Sequence, residues 1–373
     1  MRIGITCYPT YGGSGALATE LGLELARRGH EIHLISYAQP FRLRGFAEHV
    51  FFHEVDLSGT YPLLEYFPYS LALAVKQAEV ATREQLDILH VHYAVPHATA
   101  AYLARQMLGP DHSPRLVTTL HGTDITLVGQ ESSFFTVTKF SIEQSDAVTA
   151  VSTYLRDETY DAFGCDGCSI DIIPNFINPT VFCPPTDSGC RGSLAPADKK
   201  VLMHVSNFRP VKQVLDVVRI FAKVHEQVPS VLVMVGDGPD RPHAEAEAER
   251  LGLRDAVQFL GKVDGVADVL RCADVFLLPS SSESFGLSAL EAMACGVPVV
   301  ASNVGGLPEV IQDGCGVLVS QGDVEGMAAA TMGLLEPSRM ETARRAAVAR
   351  ASAFSEDRIV PLYEAVYERV LNQ

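Results

Sequence analysis

Residues 275–291 read Val-Phe-Leu-Leu-Pro-Ser-Ser-Ser-Glu-Ser-Phe-Gly-Leu-Ser-Ala-Leu-Glu. Val275–Leu278 is a continuous apolar run, the pattern of a parallel strand covered on both faces. Pro279 and three serines end the strand, and Gly286 lets the chain turn into a helical segment rich in Leu and Ala. A strand, a glycine turn and a helix start in that order are the first half of a βαβ unit. The same pattern repeats outward. Val201–Val205, Val231–Val235, Val257–Leu260, Val299–Ala301 and Val317–Val319 are further buried runs with helical patterns between them. Upstream, Ile3–Cys7, Ile32–Ser36, Ile88–His92, Leu116–Leu120, Val148–Val151 and Ile170–Ile173 form a second series. Between its first two runs, Ala16–Arg28 carries Leu17, Leu21 and Leu25 at four-residue spacing and stops at Gly29.

The two series are separated by Pro174–Pro185, with Asn175, Asn178, Pro179 and Pro184, and by the polar stretch Thr186–Lys200. Turn-forming residues at this density mark a linker. The expected fold class is therefore α/β, with two Rossmann-like doubly wound domains spanning 1–178 and 179–355. Ligands on such sheets bind at the carboxyl ends of the strands, so two facing edges would make an interdomain cleft. Near the C-terminus Ile359, Leu362, Tyr363, Val366 and Val370 share one helical face. The helix over 356–373 packs on the second domain or crosses back onto the first.

The chain has 373 residues, 47% of them hydrophobic and 20% charged, which suits two globular cores. No run approaches the ~20 apolar residues of a membrane span, and the start MRIGITCYP turns polar too soon for a signal peptide, so a cytoplasmic protein is expected. A formal net charge of −16 argues against nucleic acid or an anionic membrane as partner. Eight cysteines in such a protein read as reduced thiols. Cys165 and Cys168, with Cys183 and Cys190 downstream, are weighed as a zinc set. Their irregular spacing favours a cysteine-containing loop.

Four motifs carry candidate chemistry. Gly12-Gly13-Ser14-Gly15 follows the first strand and opens a helix, whose free N–H groups suit a phosphate; the alternative is a plain tight turn. It lacks the G-x-G-x-x-G dinucleotide spacing. Ser206-Asn207-Phe208-Arg209-Pro210-Val211-Lys212 ends the first strand of the second series. Two cations at that edge suit a diphosphate, Arg209 as a fork and Lys212 as a point charge. In Glu283–Glu291 two carboxylates bracket the glycine turn, where they can accept hydrogen bonds from sugar hydroxyls. Glu283 is expected on the loop and Glu291 about two turns into the helix. Lastly, His90-Val91-His92-Tyr93 and His121-Gly122-Thr123-Asp124 end two strands. We read His121 as a polar contact near a reacting carbon, and His90 and His92 as structural.

Together, Glu283-x7-Glu291, Arg209 with Lys212, and Gly12–Gly15 resemble the retaining glycosyltransferases of family four, which have the GT-B fold. The likeness covers essentially the whole chain. The first-domain runs Ile3-Gly-Ile-Thr-Cys-Tyr-Pro9, Pro40-Phe-Arg-Leu43, Asp87-Ile-Leu-His-Val-His-Tyr-Ala94 and Thr118-Thr-Leu-His-Gly-Thr-Asp124, with Asn175-Phe-Ile177, narrow it to members that glycosylate malate. That resemblance implies transfer of N-acetylglucosamine from UDP-GlcNAc to the hydroxyl of L-malate, giving GlcNAc-α-L-malate and UDP, the first step of bacillithiol biosynthesis. It implies no metal and no cofactor, a helix over 356–373 that crosses back onto the first domain, and a possible homodimer. His121, Arg209, Lys212 and Glu283 would be catalytic. Gly13, Ser14, Gly15, Asn207, Leu260, Gly261, Ser284, Phe285, Gly286, Leu287 and Glu291 would hold the donor, with Glu291 on the ribose and uracil near Leu260 and Gly261. Ser14, Arg42, Tyr93, Thr119, Thr123 and Lys139 are the candidates for malate. Relatives carry an arginine where this chain has Lys139, which gives up bidentate carboxylate binding. Three other readings are open: a family-four enzyme with a lipid, sugar or inositol phosphate acceptor, a GT-B UDP-GlcNAc epimerase or hydrolase, and a non-enzymatic binding module.

Overall fold

The computed structural model describes residues 1–10, 12–43, 45–58, 68–164, 168–185, 191–312 and 314–373. The chain folds as two compact units: Met1–Asn175 with Asp357–Gln373, and Phe176–Glu356. Cys165 and Cys190 lie outside the described residues. Cys168 and Cys272 are each disulfide-bonded, which corrects the reading of all eight cysteines as thiols; Cys7, Cys183, Cys295 and Cys315 are free.

The first unit contains strands β1 (Arg2–Thr6), β2 (Glu31–Ser36), β3 (Val50–Glu54), β4 (Ile88–His92), β5 (Arg115–Leu120), β6 (Ala147–Ala150) and β7 (Ile170–Ile172). Among the described residues they form one sheet in the order β3-β2-β1-β4-β5-β6-β7, with every pairing parallel. β4 is buried end to end, and β2 and β5 from their second residue on, as strands covered on both faces are. β3 is the strand the apolar-run criterion does not find. It is an edge strand, mostly half-buried or exposed, and ends in His53 and Glu54.

The second unit contains β8 (Lys200–Val205), β9 (Ser230–Val235), β10 (Val257–Gly261), β11 (Val275–Leu278), β12 (Val299–Ser302) and β13 (Gly316–Val319). Its sheet runs β10-β9-β8-β11-β12-β13, again all parallel. Leu202, Phe221, Leu232, Met234 and Leu277 lie at the centre of its core.

In both sheets the strand order reverses beside the first strand. β1 lies between β2 and β4, and β8 between β9 and β11. Connections leave such a pair toward opposite faces of the sheet, which opens a crevice at the carboxyl ends. The loops after β1 and β4, and after β8 and β11, border these crevices. They hold Gly12–Gly15 and Tyr93 in the first unit, and Ser206–Lys212 and Glu283–Gly286 in the second.

The C-terminal helix Glu356–Leu371 belongs, from Asp357 on, to the first unit. It buries Ile359, Val360, Tyr363, Val366, Tyr367 and Val370. Leu362, assigned to that face from its spacing, is 42% exposed; Val360 and Tyr367 take buried positions instead. Tyr367 Oη lies 2.8 Å from His90 Nδ1. Glu364 pairs with His30 at 3.0 Å and Arg28 at 3.4 Å, and Arg369 pairs with Asp171. No helix among the described residues is long and apolar enough to cross a membrane.

Candidate active site

In the second unit, the loop after β8 is fixed from below by a buried histidine. His204 Nδ1–H donates to the Leu277 carbonyl at 2.8 Å, so its Nε2 accepts from the Ser206 hydroxyl at 2.7 Å. The same hydroxyl oxygen accepts Phe208 N–H at 3.2 Å. Burial pushes the His204 pKa down to about 4, so the ring is neutral and the donor–acceptor order holds at physiological pH. Phe208 is fully buried at a φ of 42°, and this turn sends Arg209 outward. Two glycines let the loop after β9 press against it. A Cβ on Gly236 would lie 1.8 Å from the Ser206 carbonyl oxygen, and one on Gly238 would lie 2.0 Å from that of Asn207.

The loop after β11 is joined to this one. Lys212 Nζ donates to Glu283 Oε1 at 2.5 Å, and Ser280 Oγ–H donates to the same oxygen at 2.9 Å. Ser281 N–H donates to the Val211 carbonyl at 2.8 Å, and Gly306 N–H to that of Glu283 at 2.9 Å. Gly286 has a φ of 93°, where a Cβ would also strike Leu307 at 2.4 Å. It starts the helix Leu287–Ala294, with the Ser284, Phe285 and Leu287 amides at or beside the helix start. Glu283 is on the loop as expected. Glu291 is the fifth helical residue, just over one turn in rather than two, and it is 5% exposed. The structure therefore brings Arg209, Lys212, Glu283 and the Ser284–Leu287 turn to one edge of one sheet. Arg209 is exposed and has no ion pair among the described residues. Asn207 Oδ1 is buried without a hydrogen-bond partner. Leu260 is partly exposed at the end of β10, and the Gly261 carbonyl accepts Gly236 N–H at 2.8 Å.

In the first unit, Gly13 opens the helix Gly13–Arg27 behind the N-cap Gly12. Gly15 packs so closely under the β1 loop that a Cβ there would lie 2.3 Å from the Tyr8 carbonyl oxygen. The Ser14 and Tyr93 hydroxyls are 2.6 Å apart. Tyr93 leaves β4 at a φ of 90°, a strained conformation for a non-glycine residue. Its ring centroid is 5.2 Å from that of His121. His92 Nδ1 and His121 Nε2 are 2.7 Å apart. Burial pushes the His121 pKa down to about 3 and holds His92 well below the usual imidazole range.

Asp124, which the motif reading leaves without a role, organises this edge. One carboxylate oxygen accepts Ala94 N–H at 2.9 Å; the other accepts Gly122 N–H at 3.0 Å and His121 N–H at 3.3 Å. It thus ties the ends of β4 and β5 together. Burial pushes its carboxyl up to about 6, against the pull of these bonds. Its bonds run backward along the chain to Gly122 and His121 and across to Ala94, so no local turn motif announces it.

The expected malate contacts divide. Thr119 is fully buried, with its hydroxyl committed to His90 Nε2 and Thr149 Oγ1, both at 2.7 Å. Its side chain is withdrawn from the ligand-contacting set, because strand alternation turns it into the sheet's packed face. Arg42 reaches Glu20 at 3.5 Å. Lys139 reaches Glu143 at 3.8 Å and the Gly164 carbonyl at 3.4 Å. Thr123 is half-buried.

Only one His/Cys/carboxylate group among the described residues has metal-ligand proximity: His33, His53 and Glu84, whose ligand atoms lie within 4.8 Å of one another. Arg83 Nη2–H meets His53 Nδ1 at 3.2 Å, His53 Nε2 meets His33 Nδ1 at 2.9 Å, and His33 Nε2 meets Glu31 at 3.2 Å. This relay satisfies both rings without an ion, and the guanidinium beside it opposes one.

Two doubly wound parallel sheets, one with paired cations and paired carboxylates at its switch point, fit the GT-B glycosyltransferase class, and comparison with known proteins shows that class. Residues 11–181 match the model described as Glycosyltransferase Family 4, and residues 191–351 that of Glycosyl transferases group 1. The chain is 47% identical to the N-acetyl-alpha-D-glucosaminyl L-malate synthase of Bacillus anthracis, over 100% of this chain and 97% of that protein. It is 32% identical to a D-inositol 3-phosphate glycosyltransferase of Kribbella flavida, over 76% and 72% of the two chains. Its fold is that of a sucrose-phosphate synthase from Thermosynechococcus elongatus, with a TM-score of 0.83 at 23% identity, covering 100% and 99% of the two chains. Anabaena HepE, solved with UDP and glucose, gives 0.79 at 22% identity, covering 99% and 100%. The chain belongs to glycosyltransferase family 4.

Proposed function

We propose that this enzyme transfers N-acetylglucosamine from UDP-GlcNAc to the hydroxyl of L-malate with retention at the anomeric carbon, forming GlcNAc-α-L-malate and UDP. The observation that carries the reading is the 47% identity, along the whole chain, to a relative named for that product. The loop chemistry of both units supports it.

On the donor side, Arg209 and Lys212 receive the diphosphate. As the glycosidic bond breaks, charge grows on the departing UDP, and fixed cations with helix-start N–H groups stabilise it. Glu283 holds Lys212 at 2.5 Å and, with the Phe285–Leu287 amides, takes the sugar hydroxyls. Glu291 takes the ribose. Leu260 and Gly261 flank the uracil, and Asn207 Oδ1 supplies a buried acceptor. Gly13, Ser14 and Gly15 offer the first unit's helix start to the diphosphate. His121 meets the sugar near the reacting carbon. Asp124 already accepts three backbone N–H bonds, which makes it a poor nucleophile for a double displacement. The departing phosphate instead deprotonates the malate hydroxyl on the same face. Ser14, Tyr93 and Thr123 offer hydroxyls to malate, and Arg42 and Lys139 its cations. The arginine and lysine of the donor loop take the electrostatic part that a divalent ion would otherwise supply, so no metal is required. Small polar substrates suit a cytoplasmic enzyme.

The test is UDP release from UDP-GlcNAc in EDTA, with and without L-malate, and with D-malate, glycerol 3-phosphate or inositol 1-phosphate instead. Release driven by L-malate alone supports the proposal. Acceptor-independent release would make the chain a hydrolase or epimerase. A different preferred acceptor would leave the donor reading standing and remove malate.

Asp124 gives a pH prediction. Its folded pKa of about 6 exceeds the unbound value of 3.8, so it stabilises the fold below about 3.8 and loses that contribution as pH rises through about 6. The ionised form is therefore kept at a cost in stability, and its use is to hold the β4 and β5 ends. Protonation sets a hydroxyl against backbone donors. At saturating malate, kcat/KM for UDP-GlcNAc should fall below about pH 6, while Asp124→Asn should be slow and lack that limb. An unchanged limb in the variant would assign it to another group.

A further inference from the structure

The first unit contains a histidine pair whose second member the mechanism above does not use. His92 is fully buried. Its ring lies between those of His90, at a centroid distance of 4.6 Å, and His121, at 5.0 Å with an interplanar angle of 24°. Its Nδ1 is 2.7 Å from His121 Nε2, and its Nε2 is buried with no hydrogen-bond partner. The backbones on both sides are clamped: His97 Nδ1–H donates to the His92 carbonyl at 2.5 Å, and Asp124 accepts His121 N–H.

Both rings are neutral, so the 2.7 Å contact contains one proton and has two possible arrangements. If His121 Nε2 carried it, His92 Nδ1 would be the acceptor and His92 Nε2–H would be a buried donor with no acceptor. If His92 Nδ1 carries it, the orphaned atom is only a lone pair. A buried, unsatisfied N–H is the rarer and costlier defect. The second arrangement also has a consequence for His121. With Nε2 accepting, its single proton is on Nδ1, the nitrogen not engaged by His92.

We propose that His92 is a positioning residue that donates Nδ1–H to His121 Nε2 and so fixes His121 as the tautomer presenting an Nδ1–H donor to the substrate. This rests on the reading that His121 meets the donor sugar. The hydrogen bond at one ring nitrogen decides what the other can do. A donor at Nδ1 can bind a sugar hydroxyl without adding positive charge beside an anomeric carbon that becomes cationic as UDP leaves.

The test compares three substitutions at His92 with His121→Ala. In His92→Asn the amide nitrogen occupies the Nδ1 position and keeps a donor. His92→Leu keeps bulk without a donor. His92→Asp replaces the donor with an acceptor and reverses the proton. Kinetics, thermal unfolding and ring 15N chemical shifts of His121 are measured on the full-length enzyme. The expected result is Nδ1–H on His121 in the wild type and in His92→Asn, with kcat in the latter retained within a few-fold. His92→Leu should lose kcat by about 10- to 100-fold, typical of groups that orient a working ligand, with KM for UDP-GlcNAc little changed. His92→Asp should protonate His121 Nε2 and be slowest. Equal kcat for the Asn and Leu variants, or an Nε2–H tautomer in the wild type, overturns the proposal. If His121→Ala retains full activity, the reading of His121 as a substrate contact fails instead, whatever the His92 variants do. A thermal loss common to all three variants, tracking kcat, would reduce His92 to a packing residue.

Discussion

Lys212→Met should lower kcat by about 10²–10³-fold, with little change in KM for UDP-GlcNAc, because the cation acts mainly on charge that appears as UDP departs. The substitution has a second effect that must be separated from the first. Lys212 Nζ is 2.5 Å from Glu283 Oε1 in a pair whose side chains are 20% and 10% exposed. Removing the lysine leaves the carboxylate with the Ser280 hydroxyl and little water, and buried pairs cost more to break than to replace. Lys212→Met alone should therefore also lower the unfolding temperature. Lys212→Met combined with Glu283→Gln removes both charges and should recover most of that stability, with turnover still about 10²-fold or more below that of Glu283→Gln alone. If the double variant recovers both, Lys212 acts through folding and its electrostatic role is wrong. Steady-state kinetics and calorimetry on Lys212→Met, Glu283→Gln and the double variant decide it.

Gly236→Ala should be the most damaging methyl addition in the second unit. Two penalties add there. A φ of 119° lies outside the comfortable range of an L-residue, and the new Cβ would lie 1.8 Å from the Ser206 carbonyl oxygen. Backbone cannot swing aside as a side chain can, so the loop after β8 must move and take Asn207 and Arg209 with it. A cost of about 2–5 kcal/mol follows from strain and overpacking together. In a unit of this size, that corresponds to a fall of roughly 5–15 °C in unfolding temperature. Activity should fall further than unfolding alone explains at temperatures where the variant is folded. Gly252→Ala is the control, since it has a positive φ of 72° but nothing within 4 Å of its Cβ. If both variants lose stability equally, the contact with Ser206 contributes nothing and the loop is not held by Gly236.

The strands legible in the sequence were those with a continuous apolar run, whether buried like β11 and β12 or half-buried at a sheet edge like β10 and β13. All six apolar runs of the second unit became strands, because a parallel sheet under helices demands an unbroken run. β3 was not legible: Val50–Glu54 is exposed on an edge and ends in His53 and Glu54, so it has neither an unbroken run nor a clean alternation. In the C-terminal helix the spacing found most of the face, but Leu362 went to solvent while Tyr367 turned inward to His90. Hydrophobicity could not announce a tyrosine recruited by a buried imidazole. The loop motifs were legible as sheet-edge chemistry, since glycines, cations and carboxylates at strand ends have few structural reasons to cluster. The partners of each residue were not. Alternation put His90 and His92 on one face, yet only the β4–β5 register sets His92 against His121 and commits Thr119 to His90. Asp124 is not legible in the sequence because its work is done on backbone N–H groups, which sequence does not display.

Retaining transfer to malate is decided by proton NMR of the product formed from UDP-GlcNAc and L-malate. The expected spectrum has a single new anomeric signal with the small H1–H2 coupling of an α-glycoside, correlated through the glycosidic oxygen to the malate carbinol carbon, with UDP formed in equal amount. A large coupling, indicating a β-linkage, would contradict the retaining, same-face mechanism. Free N-acetylhexosamine in place of a malate glycoside would contradict the acceptor itself.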